Sequence, residues 1–516
     1  MKLKNIIWII PVLCLALYSC FDDKGNYDYH DLDEIEITNI PDEVAVLANA
    51  ENIVVTPKVV SKEEGEIAAN NPAYAFTYYY SEVFTDENGY NRCSVLDSTF
   101  SKDLNIPARI PAKKYSCWFE VKDKRTDVVT THSFTLTVAS TITEGWMVLC
   151  NEGSERRVRM DMIGVISAGR EVMTHDIIPT LPSVHGAVRM GYNPNFNAYV
   201  GPIFKVLTEE GGYKLDPISF ATGAAYSMDY EYGDPSKHYT PLYYGTAYTS
   251  AVVIDKSGDF YCGSIFGMPV NVSKPGATPT FKVSDYVGNI SGAPGLFLFN
   301  TTDQRFMMWY GLNKEVMTEL PPSEPELFDW SIGKDLVYMS GTQNNNGIYA
   351  LMKDKQGRYC LCGIETVVAY PQKYKQILYQ DGNGAGLQVS RLNEAKLFVF
   401  HPKLPYLFYA VDNEIWQYDY STQQAQRMIE LDKAEKVTMI KFNVFLGNYR
   451  NITKPDEYFA KQYRLIVGSV DSREQSPNNG KLRFYDVPEL NGKLVQYGET
   501  YGGFAEIADV VYRESQ

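Results

Sequence analysis

The segment LFVFHPKLPYLFYAVDNEIWQYDYSTQQ, from Leu397 to Gln424, indicates the fold of the larger part of this 516-residue chain. It holds three runs of apolar and aromatic residues. The residues between them, around Pro402 and at Asp412-Asn413, are typical of turns. Short runs rich in Val, Phe, Tyr and Trp that are bounded by turn residues predict β-strands. The segment therefore predicts three antiparallel strands of one sheet.

Similar polar turns recur between apolar runs along the chain. They contain Asp255, Asp303, Asp354 and Asp412, which are 48, 51 and 58 residues apart. Two of them are near repeats, VVIDKSGDFYC (Val252 to Cys262) and LMKDKQGRYC (Leu351 to Cys360). A repeat of ~40–50 residues in an all-strand region is typical of a β-propeller blade. Residues 145–516 leave room for about seven blades, give or take one or two. A large irregular sandwich is the alternative.

The region before this repeat has a different pattern. From Glu34 to about Ala139, short alternating strands are separated by turns at Pro41, Asn88-Gly89 and Pro111. A stretch of that length, all strand and without a helical period, predicts an immunoglobulin-like β-sandwich. The fold class is thus all-β. The predicted organisation is a signal sequence at 1–19, an acidic tether at 20–33, a sandwich at 34–140 and a β-propeller-like domain at 145–516.

The N-terminus predicts an exported, lipid-anchored chain. Lys2 and Lys4 precede an apolar run of about a dozen residues, and Ser19 leads into Cys20. A charged head, a short apolar body and a small residue before the cleavage point are typical of a secretion signal. The order Leu17-Tyr18-Ser19-Cys20 resembles a bacterial lipobox, which implies cleavage before Cys20 and its acylation. An ordinary signal peptide with an incidental cysteine is the alternative.

The residues that follow extend this resemblance. Asp22-Asp23 resembles the surface-export signal of Bacteroidetes lipoproteins. The stretch SCFDDKGNYDYHDLDEIEI (Ser19 to Ile37) is similar to the start of the PKD-like family of surface lipoproteins associated with SusC/SusD-type outer-membrane nutrient uptake systems. The resemblance implies an N-terminal PKD-like sandwich and a location on the extracellular face of the outer membrane. It also implies two partners, a SusC-like TonB-dependent transporter and a SusD-like lipoprotein.

Charge and cysteine content limit the classes of function. The formal net charge is −15, which disfavours binding to nucleic acid, because that affinity comes largely from Lys and Arg on phosphate. Cys93 and Cys117 fall in one predicted domain, and a disulfide between them is left open. Cys360 and Cys362 lie two apart in a predicted strand, without the further ligands of a zinc site, and are interpreted as core residues.

Catalytic motifs are missing from the sequence, which shows no HExxH, GxSxG or phosphate-binding glycine loop. His175 and His185 could converge, but they and His401 are interpreted as structural. We therefore expect neither a metal nor a cofactor apart from the covalent lipid at Cys20. The predicted function is a non-catalytic accessory that binds or positions an oligopeptide or glycan. A surface hydrolase or lyase, and a purely structural spacer, are the alternatives.

The segment YSMDYEYGDPSKHYTPLYYGTAY (Tyr226 to Tyr248) is the strongest candidate for ligand contact. Its tyrosines alternate with Gly233, Pro235, Pro241 and Gly245, and these breakers predict a loop at one end of the propeller. Aromatic rings on a loop can stack on sugars or peptide side chains, while packing between blades is the alternative. The predicted ligand-binding residues are Tyr230, Tyr232, Tyr239, Tyr243, Tyr244 and Trp309.

Overall fold

The computed structural model describes residues 33–85, 91–97, 100–167, 169–194, 202–231, 236–247, 250–264, 281–289, 295–310, 317–342, 346–367, 373–445 and 455–514. Cys20, the predicted signal sequence and nearly all of the predicted tether lie outside these residues. The chain divides into two compact units, Met1–Val138 and Ala139–Gln516. No helix among the described residues is long and apolar enough to cross a membrane.

The described residues of the first unit form ten strands. They are β1 Ile35–Thr38, β2 Glu43–Leu47, β3 Asn52–Val55, β4 Lys58–Ser61, β5 Gly65–Glu66, β6 Tyr74–Thr85, β7 Asn91–Val95, β8 Leu104–Pro107, β9 Lys113–Asp123 and β10 Val129–Ala139. A five-stranded sheet has the order β2-β10-β9-β6-β7, and the smaller sheets are β1-β4-β5 and β3-β8. Alternate residues of β9 are buried, including Tyr115, Cys117 and Phe119. They pack with residues of β3, β4 and β8 in one cluster, as in a β-sandwich.

The strand order excludes the disulfide that the sequence left open. Cys93 lies opposite Val83 of β6, and Cys117 lies opposite Tyr80 of the same strand. The two cysteines therefore flank β6 on either side. Neighbouring strands are about 4.8 Å apart, so strands separated by a third are about 9–10 Å apart, beyond the reach of a disulfide. Both side chains are free thiols.

The second unit contains the remaining strands. They are β11 Gly145–Glu152, β12 Arg157–Ser167, β13 Arg170–Thr174, β14 Ala187–Asn193, β15 Ile203–Thr208, β16 Gly211–Lys214, β17 Pro241–Ala247, β18 Ser250–Asp255, β19 Phe260–Ser264, β20 Gly295–Asn300, β21 Arg305–Tyr310, β22 Met317–Glu319, β23 Asp335–Gly341, β24 Gly347–Lys353, β25 Tyr359–Val367, β26 Lys373–Gln380, β27 Leu397–Phe400, β28 Tyr406–Val411, β29 Glu414–Asp419, β30 Gln424–Glu430, β31 Glu435–Lys441, β32 Leu465–Asp471, β33 Gly480–Asp486, β34 Val495–Phe504 and β35 Glu506–Arg513. One α-helix spans Pro455–Lys461, and 3₁₀ turns span Ala224–Tyr226, Met228–Glu231 and Leu392–Glu394.

These strands form successive antiparallel meanders. In the described residues the sheets are β14-β15-β16, β17-β18-β19, β20-β21-β22, β23-β24-β25-β26, β27-β28-β29-β30, β31-β32-β33-β34 and β13-β12-β11-β35. The last of these joins the two ends of the unit, because β35 pairs with β11 from Gly145↔Arg513 to Asn151↔Glu506. Consecutive meanders closed by pairing between first and last strands are typical of a β-propeller.

The second strand of a sheet is typically buried on both faces, and this explains its continuous apolar sequence. In β11, Trp146, Val148 and Cys150 pack against the β31–β34 sheet, whereas Met147 and Leu149 pack against the β14–β16 sheet. In β28, Phe408 packs toward one neighbouring sheet and Leu407 toward the other. Seven clusters of this kind lie between neighbouring sheets of the second unit.

Three of the four turns found by their spacing occupy equivalent positions, whereas the turn at Asp303 connects β20 to β21, the first two strands of its sheet. Those at Asp255, Asp354 and Asp412 connect the second and third strands of their sheets, β18 to β19, β24 to β25 and β28 to β29. The Asp354 carboxylate accepts hydrogen bonds from the backbone N–H of Gln356 at 2.9 Å and of Arg358 at 2.8 Å. Gly357 completes that turn with φ 82°. The hydrogen bonds and the positive φ of the turn therefore explain why aspartate and glycine occupy these positions.

Candidate functional site

The tyrosine-rich segment is mostly regular structure. Tyr226 and Tyr230 belong to 3₁₀ turns, and Pro241–Ala247 is strand β17. The predicted loop is therefore wrong for residues 241–247. Pro241 is tolerated because it is the first residue of the strand, and Gly245 leaves room for the ring of Tyr243, since a Cβ there would lie 2.3 Å from its hydroxyl oxygen. Tyr232 and Tyr248 lie outside the described residues.

Two of the predicted ligand-binding residues are in the core. Tyr239 is 3% exposed, and its ring meets that of Tyr261 edge-on at 5.4 Å. Trp309 is 2% exposed and meets Phe260 at 5.5 Å. Their large apolar area is used to fill the spaces between sheets. This burial corrects the ligand-binding prediction for both residues in favour of the packing alternative. Tyr230, by contrast, is 68% exposed.

Tyr244 is half-buried and covers an unusual buried lysine. Lys205 lies in β15, with its ammonium group 5.6 Å from the centre of the Tyr244 ring and in contact with both carboxylate oxygens of Glu231. Burial lowers the pKa of Lys205, and the Glu231 charge opposes that shift. Gly191 permits the arrangement, because a Cβ there would lie 2.6 Å from the Tyr244 ring. Tyr244 therefore stabilises a buried ion pair.

Tyr243 belongs to a polar and aromatic group drawn from the first strands β14, β17 and β23 and from the segment that precedes β20. We name it the inner-strand cluster: Arg189, Tyr243, Asp285, Tyr286 and Tyr338. The guanidinium of Arg189 lies 5.9 Å from the centre of the Tyr243 ring. Its Nη2 donates to the Asp285 carboxylate at 3.3 Å, and its Nη1 donates to the Asp285 carbonyl at 3.5 Å. The remaining donors of Arg189 have no acceptor among the described residues.

The other two members of the inner-strand cluster are an aromatic pair. Tyr286 meets Tyr338 edge-on, with ring centres 5.0 Å apart. Burial raises the pKa of Tyr338 to about 12 and that of Tyr243 to about 12, so both hydroxyls remain protonated donors at neutral pH. A guanidinium beside several phenols can donate hydrogen bonds to a carboxylate or to sugar hydroxyls, and the rings offer flat faces.

The inner-strand cluster could not be found from sequence. Arg189 and Asp285 are 96 residues apart. No motif links them, and only the order of the sheets brings their strands together. The prediction of Tyr243 included one of the five members. A lone charged residue inside an apolar strand such as AVRMGYN was the sole local signal for Arg189.

The histidines occupy three different environments. His175 Nδ1 lies 3.2 Å from the buried carboxylate of Asp161, while the His175 side chain is 48% exposed. His185 contacts Glu210, and its backbone pairs with Arg157, which in turn contacts Asp176. The Arg157–Asp176 ion pair thus lies between His185 and the residue that follows His175. His401 is buried, and its Nδ1 accepts hydrogen bonds from the backbone N–H of Lys403 and Leu404.

The cysteines and acidic residues do not form a metal site in the described part of the chain. No group of three or more His, Cys, Asp and Glu side chains there could hold a metal ion. Cys360 and Cys362 lie in the apolar cluster between the β20–β22 and β23–β26 sheets. Their burial agrees with an interpretation as core residues.

Comparisons with known families and structures concern different parts of the chain. The PKD-like family matches residues 20–184, which include residues 20–138 of the first unit and strands β11 to β13. No curated protein matches the chain.

Among solved structures, the chain is similar to a quinonprotein alcohol dehydrogenase-like protein from Bacteroides thetaiotaomicron at 12% identity and a TM-score of 0.40, covering 94% of this chain and 100% of the other. It is similar to YCF48 from Cyanidioschyzon merolae at 11% identity and a TM-score of 0.38, covering 66% and 98%. For BamB from Moraxella catarrhalis the identity is 8%, the TM-score 0.33 and the coverage 70% and 89%.

Proposed function

We propose that this chain is a surface lipoprotein of the outer membrane, held by acyl chains on Cys20, that binds or positions a nutrient for a SusC-like TonB-dependent transporter and a SusD-like lipoprotein. One observation carries the proposal. The match to the PKD-like family begins at residue 20, which is the cysteine that the lipobox-like order places at the mature N-terminus. More than one acyl chain is needed to hold a protein stably on a bilayer, and a lipobox cysteine offers two acylation positions.

The proposed organisation follows the same order along the chain. Residues 20–33 form an acidic tether, residues 34–140 a PKD-like sandwich, and residues 145–516 a propeller. We assign seven blades, one to each sheet of the second unit, with the β13-β12-β11-β35 sheet as the closing blade. A propeller suits ligand capture because its loops and first strands surround one axis.

The proposed capture surface includes the inner-strand cluster and the exposed Tyr230. Among the described residues, Arg189 has donors without an acceptor, and Tyr243 and Tyr338 remain protonated at neutral pH. These groups suit the carboxylate or carbonyl groups of an oligopeptide and the hydroxyls of a glycan. Binding through them requires no chemical step, in keeping with a non-catalytic function.

A second candidate function is a surface hydrolase or lyase, and one observation favours it. The carboxylate of fully buried Asp161 lies 3.2 Å from Nδ1 of His175, whose side chain is 48% exposed. An imidazole oriented by a carboxylate can act as a general base. Turnover of a peptide or glycan panel that is abolished by His175→Asn would establish this function instead.

Protease treatment of intact cells tests the proposed location. We expect proteolysis of the wild-type chain without cell lysis, and we expect Cys20→Ala to give a soluble species that no longer fractionates with membranes. Ser19→Ala is the matched control, because it keeps a small residue before the cysteine. Protection of the wild-type chain until the cells are broken would contradict the proposal.

Purification of the wild-type chain from detergent-solubilised membranes tests the partners in the same cells. Recovery of a SusC-like transporter together with binding of a peptide or glycan supports the capture function. Recovery of the transporter without binding of any member of the panel identifies a structural spacer.

A further inference from the structure

A cleft with a volume of about 480 Å³ opens between the β23–β26 and β27–β30 sheets. Clefts of 300–1,000 Å³ commonly hold small ligands. Tyr349 and Glu365 line it from one sheet, and Tyr420 and Ser421 line it from the other. It is separate from the inner-strand cluster, none of whose members lines it.

The cleft lies where the apolar side chains between these two sheets stop, although the strands continue. Toward the middle of the sheets the space is filled by side chains such as Leu351, Leu361 and Leu407. Further along the same face, Gly347 pairs with Glu365 and Gly363 lies opposite Tyr349. Two glycines and a glutamate thus replace apolar residues of the contact face, and the space between the sheets is left open.

Aromatic rings form the floor of the cleft. Tyr349 and Tyr420 come from opposite sheets, and their ring centres are 4.8 Å apart. Gly363 holds Tyr349 against β25, since a Cβ on Gly363 would lie 3.1 Å from the Tyr349 ring. Packing thereby holds the Tyr349 ring in position in the absence of a ligand.

Glu365 contributes a half-buried carboxylate to the cleft. It forms no hydrogen bond or ion pair among the described residues. Lys375 lies directly opposite on β26 and is exposed, but it makes no ion pair with Glu365. On the other wall, Ser421 is held in place because its hydroxyl donates to the buried Asp419 carboxylate at 2.7 Å. The Glu365 carboxylate therefore gives the cleft a negative potential, in a chain whose net charge is −15.

We propose that this cleft binds an ammonium or guanidinium group, with Glu365 as its charge partner and the Tyr349 and Tyr420 rings beneath it. A carboxylate beside aromatic rings favours cations through a charge-assisted hydrogen bond and a cation–π contact. The inference rests on the proposed capture function and specifies one of its ligand classes. Two sources carry such a group, a Lys or Arg side chain of an oligopeptide and an amino sugar.

Calorimetric titration of the detergent-purified full chain tests the cleft. The probes are capped Gly-Lys-Gly and Gly-Arg-Gly, the neutral Gly-Leu-Gly, glucosamine and N-acetylglucosamine. We expect a cationic probe to bind more tightly than its neutral counterpart, and we expect Glu365→Gln to weaken it roughly tenfold or more. Glu326→Gln removes the same charge from an exposed site outside the cleft and should change nothing.

The source of the cation is decided by which cationic probe binds, the peptides or glucosamine. Equal binding of neutral and cationic probes, unchanged binding in Glu365→Gln, or no binding of any cation overturns the inference. An unchanged melting temperature of Glu365→Gln shows that the fold is intact. Co-purification with the transporter measures the proposed function separately, so a failed cleft leaves that result standing.

Discussion

The first unit gathers its buried apolar side chains into one cluster, whereas the second unit distributes them over seven clusters, each between two neighbouring sheets. In the sandwich, strands from all three sheets contribute to the same space. In the second unit, alternate residues of a strand such as β11 belong to different spaces. The stability of the first unit therefore depends on a single hydrophobic core. The stability of the second unit depends on the packing of each sheet against both of its neighbours.

Removal of residues 506–516 should have the largest effect. It deletes β35, which pairs with β11 and supplies Ile507, Val510 and Tyr512 to the cluster beside the β31–β34 sheet. We expect the second unit to lose its cooperative unfolding transition in calorimetry, while the transition of the first unit remains as an internal control. A second unit that still unfolds cooperatively would show that its sheets do not depend on closure.

Phe119→Ala should act on the first unit alone. Phe119 is fully buried, with ring centres 4.6 Å from Tyr78 and 6.1 Å from Phe76. Removing such a ring costs about 3–5 kcal/mol, which is a large part of a small unit's stability. We expect the melting transition of the first unit to fall while that of the second stays in place. Phe408→Ala, in the second unit, is the matched control and should shift only the other transition.

Acid should weaken the second unit through His401. Burial lowers the pKa of His401 to about 3, against about 6.5 in an unfolded chain. Below pH 6.5 the unfolded state binds a proton that the folded state does not, so stability falls as the pH drops toward 3. At pH 5 the loss is about 2 kcal/mol.

Denaturant unfolding of wild type and His401→Asn between pH 7 and 5 measures this contribution. The variant should be less stable at pH 7 and show a flatter pH dependence. His132→Asn, in the first unit, is the control and should leave the slope of the second unit unchanged. Equal slopes for wild type and His401→Asn would show that His401 does not carry the acid sensitivity.

Local patterns predicted the strands and turns well because the causes are local. Alternation placed β9 and β10 within a few residues, and the turn aspartates Asp255 and Asp354 accept backbone hydrogen bonds from residues two to four positions away. The apolar run of β28 also predicted a strand, and the structure buries all six of its residues. These signals were sufficient for an all-β fold with a repeat.

The sites were harder to predict because they depend on which strands become neighbours. The burial of Tyr239 and Trp309 is decided by facing sheets, and their sequence neighbourhood resembles that of the exposed Tyr230. The inner-strand cluster joins residues about 96 positions apart. The cleft beside Glu365 arises from the absence of side chains at glycines, which a search for functional residue types does not register.

The pairing of β35 with β11 also determines when the second unit can complete its fold during biosynthesis. A ribosome or an export channel delivers the chain from its N-terminus, so Gly145–Glu152 emerges long before Glu506–Arg513. Until the last residues arrive, one edge of β11 is unpaired and the adjoining apolar surface is open to water or to other chains. The closing sheet of the second unit can therefore form only after Glu506–Arg513 has emerged, and chaperones that cover unpaired strand edges would act before that point.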